Sequence, residues 1–307
     1  MNDLIRSAIA AEAEERVDSR TVLAELHKRN ARKPFGMIIG VATLTVAAAA
    51  AAFIVPTAIK KTEAAPPATS PTAPSTAQNV LLLGLDEVGN TDSIVYARFR
   101  EDGTVSAVSL PRDVLVGQEK INSLFLADPK KLTSAVEALT DTKVDHYAAI
   151  KMSEFGRLSS AVGGVEVCLK AATEDDISGV NLPAGKSILQ GKDALAFLRQ
   201  RRNLPNGDLD RIKRLHAVLS GIAAKVTKDN ALPLAREISR SISVDQGWDV
   251  LEFAQRFQGP VKIRTTIMPV GTPKDMNPPY EVSPGTGKTY VGKQFADPTP
   301  TETGCVN

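Results

Sequence analysis

Hydrophobic and polar positions divide this chain into unlike stretches. Residues 1–33 are polar and end in a basic run, His27-Lys28-Arg29-Asn30-Ala31-Arg32-Lys33. From Phe35 to Ile59 there is no ionisable side chain. As a helix that stretch would extend roughly 37 Å, enough to cross a hydrocarbon core of about 30 Å. It is Ala-rich, but Met37, Ile38, Ile39, Val41, Leu44, Val46, Phe53, Ile54 and Val55 supply bulk. The run is too long for a signal-peptide core, and Lys28, Arg29, Arg32 and Lys33 outweigh Lys60 and Lys61. The expectation is a single uncleaved membrane anchor with its N-terminus in the cytoplasm and the rest of the chain outside.

Beyond the apolar run, Pro, Ala, Ser and Thr dominate up to residue 78, a composition that stays extended because it cannot bury a core. Patterning then changes abruptly. Val80–Gly84 is a continuous apolar run, which predicts a strand buried on both faces. Ser93–Phe99 and Val105–Leu110 flank Asp102-Gly103 and predict a hairpin. Leu132–Leu139 and Ser153–Val162 read as helices, His146–Ile150 and Val165–Leu169 as strands. Two helices are expected near 191–224, the second with Ile212, Leu215, Leu219 and Ile222 as its core stripe. Interleaved strands and helices predict an α/β fold, a layered α-β-α domain around a central mixed sheet. The expected divisions are a cytoplasmic tail at 1–33, a membrane helix at 34–59, a linker at 60–78, a catalytic domain at 79–270 and an irregular Pro/Gly-rich tail at 271–307.

Composition narrows the chemistry. With 307 residues, 43% apolar and 23% charged, a sizeable core is affordable, and a net charge of +2 leaves no global basic field for nucleic acid. Three scattered histidines and two cysteines without metal-type spacing argue against zinc. Cys168 and Cys305, both placed outside the membrane by the topology, are expected to pair as a disulfide. His216 reads as a packed core histidine and Trp248 as core or half-buried.

Carboxylates and arginines therefore carry the candidate site. Gly84-Leu85-Asp86 follows the first strand, with Asp92 six residues on. Carboxylates outside a strand's carboxyl end suit Mg²⁺, although a polar turn fits the same residues. Ser109-Leu110-Pro111-Arg112-Asp113 ends another strand and projects a guanidinium fork, or equally a surface ion pair. The stretch from Ala194 to Arg214 holds Arg199, Arg201, Arg202, Arg211 and Arg214, five arginines within sixteen positions. Arginine is the preferred side chain for bidentate phosphate recognition.

Together these motifs resemble the LytR–CpsA–Psr family of cell-wall glycopolymer transferases. The likeness rests on Gly84-Leu85-Asp86, Thr91-Asp92-Ser93, Ser109–Asp113, Lys120-Ile121-Asn122, Gly163-Gly164-Val165 and Gly191–Arg214, and looks actinobacterial. It implies that Asp86 and Asp92 hold Mg²⁺, that Arg112, Arg199, Arg201 and Arg211 serve catalysis by binding a pyrophosphate, and that Arg214 assists substrate binding. The implied partners are a polyprenyl-pyrophosphate-linked glycan and peptidoglycan or another wall acceptor. The implied activity is phosphotransfer, with pyrophosphatase as a side activity. Asn90 stands where the family has Arg, and Leu215 where it has Gln. These departures motivate the alternative of a non-catalytic protein that binds lipid-linked glycan. Asp113 is open to two roles, proton acceptor or structural partner of an arginine.

Overall fold

The computed structural model describes residues 77–256, 261–271, 279–300 and 304–307. The expected tail, membrane helix and nearly all of the linker lie outside these residues. Among the described residues, no helix is long and apolar enough to cross a membrane.

The chain opens with β1 (Gln78–Leu85), β2 (Thr91–Phe99) and β3 (Thr104–Leu110), then the small hairpin β4 (Leu115–Val116) and β5 (Glu119–Lys120). Helices α1 (Ile121–Ala127) and α2 (Pro129–Thr140) precede β6 (His146–Lys151), α3 (Glu154–Ala161) and β7 (Val165–Leu169). Strands β8 (Thr173–Asp175), β9 (Val180–Leu182) and β10 (Gly185–Leu189) lead into α4 (Lys192–Arg199) and α5 (Asp208–Ala223). The remainder is α6 (Lys228–Ile238), β11 (Ile242–Val244), α7 (Val250–Gln255), β12 (Lys262–Ile267) and α8 (Thr286–Ala296).

The central sheet runs β11-β6-β1-β2-β3-β12. It is mixed, because β1–β6 and β3–β12 pair in parallel while the other neighbours are antiparallel. Alternation along the strands sends side chains to two cores. Leu81, Leu83, Ile94, Tyr96, Val108 and Leu110 pack against α1, α2 and α8 through Leu124, Leu132, Val136, Val291 and Phe295. Val95, Ala97, Val105 and Ala107 face the opposite layer, where Phe155, Val165, Leu189, Phe197, Leu215 and Val218 come from α3, β7, β10, α4 and α5. The layered arrangement expected from patterning is therefore observed.

Two readings need correction. The segment 271–307 is not irregular: Thr286–Ala296 is a helix whose Val291 and Phe295 complete the first core. Gly271 and Tyr280 also bridge to Glu281 and Val114. Local Pro and Gly content hid a helix with few apolar residues, which tertiary packing stabilises more than its own propensity does. On α5 the buried set is also wider than the expected stripe, taking in Asp210, Arg211, Arg214 and His216, because both the sheet and neighbouring loops cover this helix.

Candidate functional site

The site forms at the sheet end where β1 and β3 finish and β2 begins. Gly84 allows close approach there: a Cβ at this position would overlap Ser93 Oγ and meet Met152 Sδ at 2.7 Å, so both side chains would have to shift. In the β2–β3 register Ile94 lies opposite Leu110. Two further steps along both strands bring Asp92 against Arg112, and their Oδ1 and Nη1 sit 2.5 Å apart. Asn122 braces the pair from α1: its N–H donates to the Arg112 carbonyl, and its own carbonyl accepts from the Thr91 hydroxyl. Lys120 Nζ reaches Asp113 Oδ1 at 2.7 Å, which gives the Lys120-Ile121-Asn122 motif a structural meaning.

The first turn of α5 approaches the same point. Arg211 Nη1 lies 2.8 Å from Asp208 Oδ1, an i,i+3 pair, and its Nη2 is 4.0 Å from Asp92 Oδ2. Arg112 Nε lies 3.3 Å from the same Asp208 oxygen and 3.8 Å from Asp113 Oδ2. Arg201, just beyond α4, comes within 3.8 Å of Asp92 Oδ2. Arg199 is farther out, 4.0 Å from Glu87. Asp92, Arg112, Arg201 and Arg211 thus converge from separate parts of the chain.

Asp208 had no role in the sequence reading. Its signal was available in the Asp208–Arg211 spacing at a helix start, but the sequence does not show that Arg112 would lean on it. Burial raises its pKa, against the opposing pull of Arg211 and Arg112. For Arg112, burial acts to lower the pKa, but Asp208 and Asp92 outweigh it and leave the guanidinium more firmly charged. Arg211 shifts downward, burial being the main cause. The Nε atoms of both Arg112 and Arg211 are buried without an aligned hydrogen-bond partner. Arg112 Nε nonetheless faces Asp208 Oδ1 at 3.3 Å, an ion pair out of hydrogen-bond alignment.

Asp86 and Arg214 depart from expectation. Asp86 Oδ1 accepts the N–H groups of Val88, Gly89 and Asn90, and Oδ2 accepts the Asn90 amide. Its carboxylate folds its own loop and is not joined to the ion-pair cluster, and Asn90 serves that loop. Burial acts to raise the Asp86 pKa, yet these hydrogen bonds together bring it below the ordinary value. Arg214 is 1% exposed and turns away from the cluster toward the C-terminal end of α4. Three residues round the helix from Arg211, it meets a different neighbour. Leu215 packs in the core beside it.

His216 Nε2 lies 2.8 Å from Ser109 Oγ, tying α5 to β3 behind Arg112. Burial, with Lys213 nearby, lowers its pKa to about 4. The unfolded chain therefore takes up a proton near pH 6.5 that the fold refuses until about 4. Stability should fall as pH drops from about 6.5 toward 4, by a few kcal/mol at most. Urea unfolding at pH 7 and pH 5 checks this, and an unchanged His216→Asn profile would refute it. Trp248 is half-buried and stacks on His146. Cys168 and Cys305 form a disulfide with Cα atoms 4.4 Å apart.

Residues 43–285 match the LytR_cpsA_psr family. The chain belongs to that family. Among family relatives, the Cell wall biosynthesis protein LcpA of Corynebacterium glutamicum is 36% identical over 219 residues, 58% of this chain and 42% of that protein. The Polyisoprenyl-teichoic acid–peptidoglycan teichoic acid transferase TagU of Enterococcus faecalis is 32% identical over 187 residues, 56% of this chain and 61% of that protein. The chain thus spans about half the length of the curated relatives it matches. Among solved structures, the LytR-Csp2A-Psr enzyme from Actinomyces oris superposes with a TM-score of 0.59 at 21% identity, covering 71% of this chain and 91% of that one. The LytR–CpsA–Psr fold is therefore present here.

Proposed function

We propose that this chain is a membrane-anchored, extracytoplasmic phosphotransferase that moves a glycopolymer from a polyprenyl-pyrophosphate carrier to a hydroxyl of peptidoglycan or another wall acceptor. The observation that carries the reading is the convergence of Arg112, Arg201 and Arg211 around Asp92. Relatives named as a cell-wall biosynthesis protein and a teichoic acid transferase support it.

Phosphoryl transfer needs positioned positive charge rather than a covalent protein intermediate. Arg112 and Arg211 are oriented by Asp208, so both forks are held before substrate arrives. Arg201 reaches in from the exposed side and Arg199 lies farther out. The acceptor oxygen bonds to the phosphorus bearing the glycan, the bridging P–O bond breaks, and polyprenyl phosphate leaves while the hydroxyl gives up its proton. Water in place of the acceptor would give the pyrophosphatase side activity.

Mg²⁺ fits these residues on charge. Arg112, Arg201, Arg211 and Lys120 face Asp92, Asp113 and Asp208, a surplus of one positive charge against the larger negative charge of a diphosphate. Asp92 spends Oδ1 on Arg112, while its Oδ2 lies 3.8 and 4.0 Å from the nearest guanidinium nitrogens, beyond hydrogen-bond reach. Asp92 would hold the cation through that oxygen; both Asp86 oxygens already accept hydrogen bonds within its own loop. When bound, the ion neutralises charge on phosphate oxygens.

The test is Mg²⁺-dependent release of polyprenyl phosphate from a polyprenyl-diphosphate glycan by the full chain in vesicles. Asp92→Ala and Arg201→Ala should each lower it by about 100-fold. Wild-type rates in both variants would refute the site. Tight lipid binding without turnover on any acceptor would select the non-catalytic alternative that Asn90 and Leu215 motivate.

A further inference from the structure

We propose that Gln200 and Arg214 are positioning residues that aim Arg201 at the diphosphate site; the inference rests on the phosphotransferase reading above.

Gln200 is fully buried between two exposed arginines. It leaves α4 in an extended conformation, φ −55° and ψ 133°. Gln200 is buried while Arg199, Arg201 and Arg202 beside it are exposed, so the turn presents its arginines outward around one inward amide. The inward amide is held at both ends. Its Oε1 accepts from Arg214 Nη1 at 2.5 Å, and its Nε2 donates to Thr173 Oγ1 at 2.7 Å and to the Arg202 carbonyl at 2.8 Å. The Arg201 N–H donates to Asp175 Oδ2 at 3.2 Å. The arginine turn is thus fixed from its backbone rather than by its exposed side chains.

Arg214 is the keystone of this arrangement. Besides Gln200, it donates through Nη1 to the Phe197 carbonyl at 3.4 Å and through Nε to the Asn307 carbonyl at 2.6 Å. Its guanidinium lies 4.6 Å from the Phe197 ring centroid. The Phe197 carbonyl belongs to the last turn of α4, where helical partners run out. The Gln200 and Phe197 acceptors are amide carbonyls, and the Asp210 and Asp175 carboxylates offset part of the desolvation of this buried cation. Lysine cannot reproduce the contact, because a fork spreads over three directions and an ammonium does not.

Two readouts on the full chain decide the matter. Hydrogen exchange at residues 199–203 should rise at least tenfold in Arg214→Lys and in Gln200→Met, with the β1–β3 amides unchanged. Both substitutions should also lower polyprenyl phosphate release by about 30-fold, within the hundredfold that a misplacement of about 1 Å can cost. In an Arg201→Ala background the same changes should cost less than about twofold, because residues acting through one another are not additive. A purely structural role would predict additivity. Additive losses, or unchanged exchange at 199–203, would overturn the proposal. If Arg214→Lys does not fold, Gln200→Met carries both readouts. A wild-type chain without turnover would sink the phosphotransferase reading alone, while exchange would still decide whether the turn is held this way.

Discussion

Arg112→Ala should reduce Mg²⁺-dependent polyprenyl phosphate release by about 1,000-fold, the upper end for removing one preorganised donor from a site of developing charge. The size follows from its place. Arg112 is the side chain that touches Asp92, Asp113 and Asp208 together. Its loss removes a phosphate fork and leaves Asp92 and Asp208 facing each other across a partly buried space. Asp208 keeps Arg211 at 2.8 Å, so the loss weakens the cluster without stranding a carboxylate, and the variant should melt only modestly earlier. Arg112→Lys separates the two effects. It restores a point charge and part of the stability, but it cannot serve Asp92 and Asp208 while presenting a bidentate face to phosphate. Melting temperature should recover more than rate does. If lysine brings the rate within about fivefold of wild type, charge alone suffices and the forked geometry is irrelevant.

Removing the disulfide should cost the most stability of any single change considered. Cys168 and Cys305 close a loop with a sequence separation of 137. The chain-entropy treatment puts such a loop near 5 kcal/mol, with about 2–5 kcal/mol measured for native bridges in small secreted domains. Here the bond also pins a strand-like tail: Val306 N–H donates to the Cys168 carbonyl, and Lys170 N–H to the Val306 carbonyl. The Asn307 carbonyl then accepts from buried Arg214. Cys168→Ser/Cys305→Ser should lower the unfolding free energy measured in urea by about 2 kcal/mol or more, and reduction of the wild type should match it. A reduced protein as stable as the oxidised one would show that non-covalent contacts hold the tail unaided.

How much was legible beforehand varied with the physics of each element. The hairpin across Asp102-Gly103 and the strands at Val80–Gly84 and Val165–Leu169 were clear, because apolar patterning and turn residues act over a few positions. Helix α8 and strand β12 were not, since neither carries a strong local signal and both depend on a surface supplied by distant residues. The same division runs through the site. Arginines within sixteen positions could be found by reading, and so could Asp92 and Arg112. Their individual assignments could not.

From the sequence alone came the kinds of group available: guanidinium forks, carboxylates at strand ends, and an apolar stretch ahead of a segment rich in Pro, Ala, Ser and Thr. Tertiary structure decided which of them meet. The β2–β3 register set Asp92 against Arg112, and the seating of α5 brought Asp208 and Arg211 to them. A rotation of three residues sent Arg214 to the back of α4 instead. Ion pairs act over a few ångströms, whereas sequence spacing constrains position that closely only within one helix or strand.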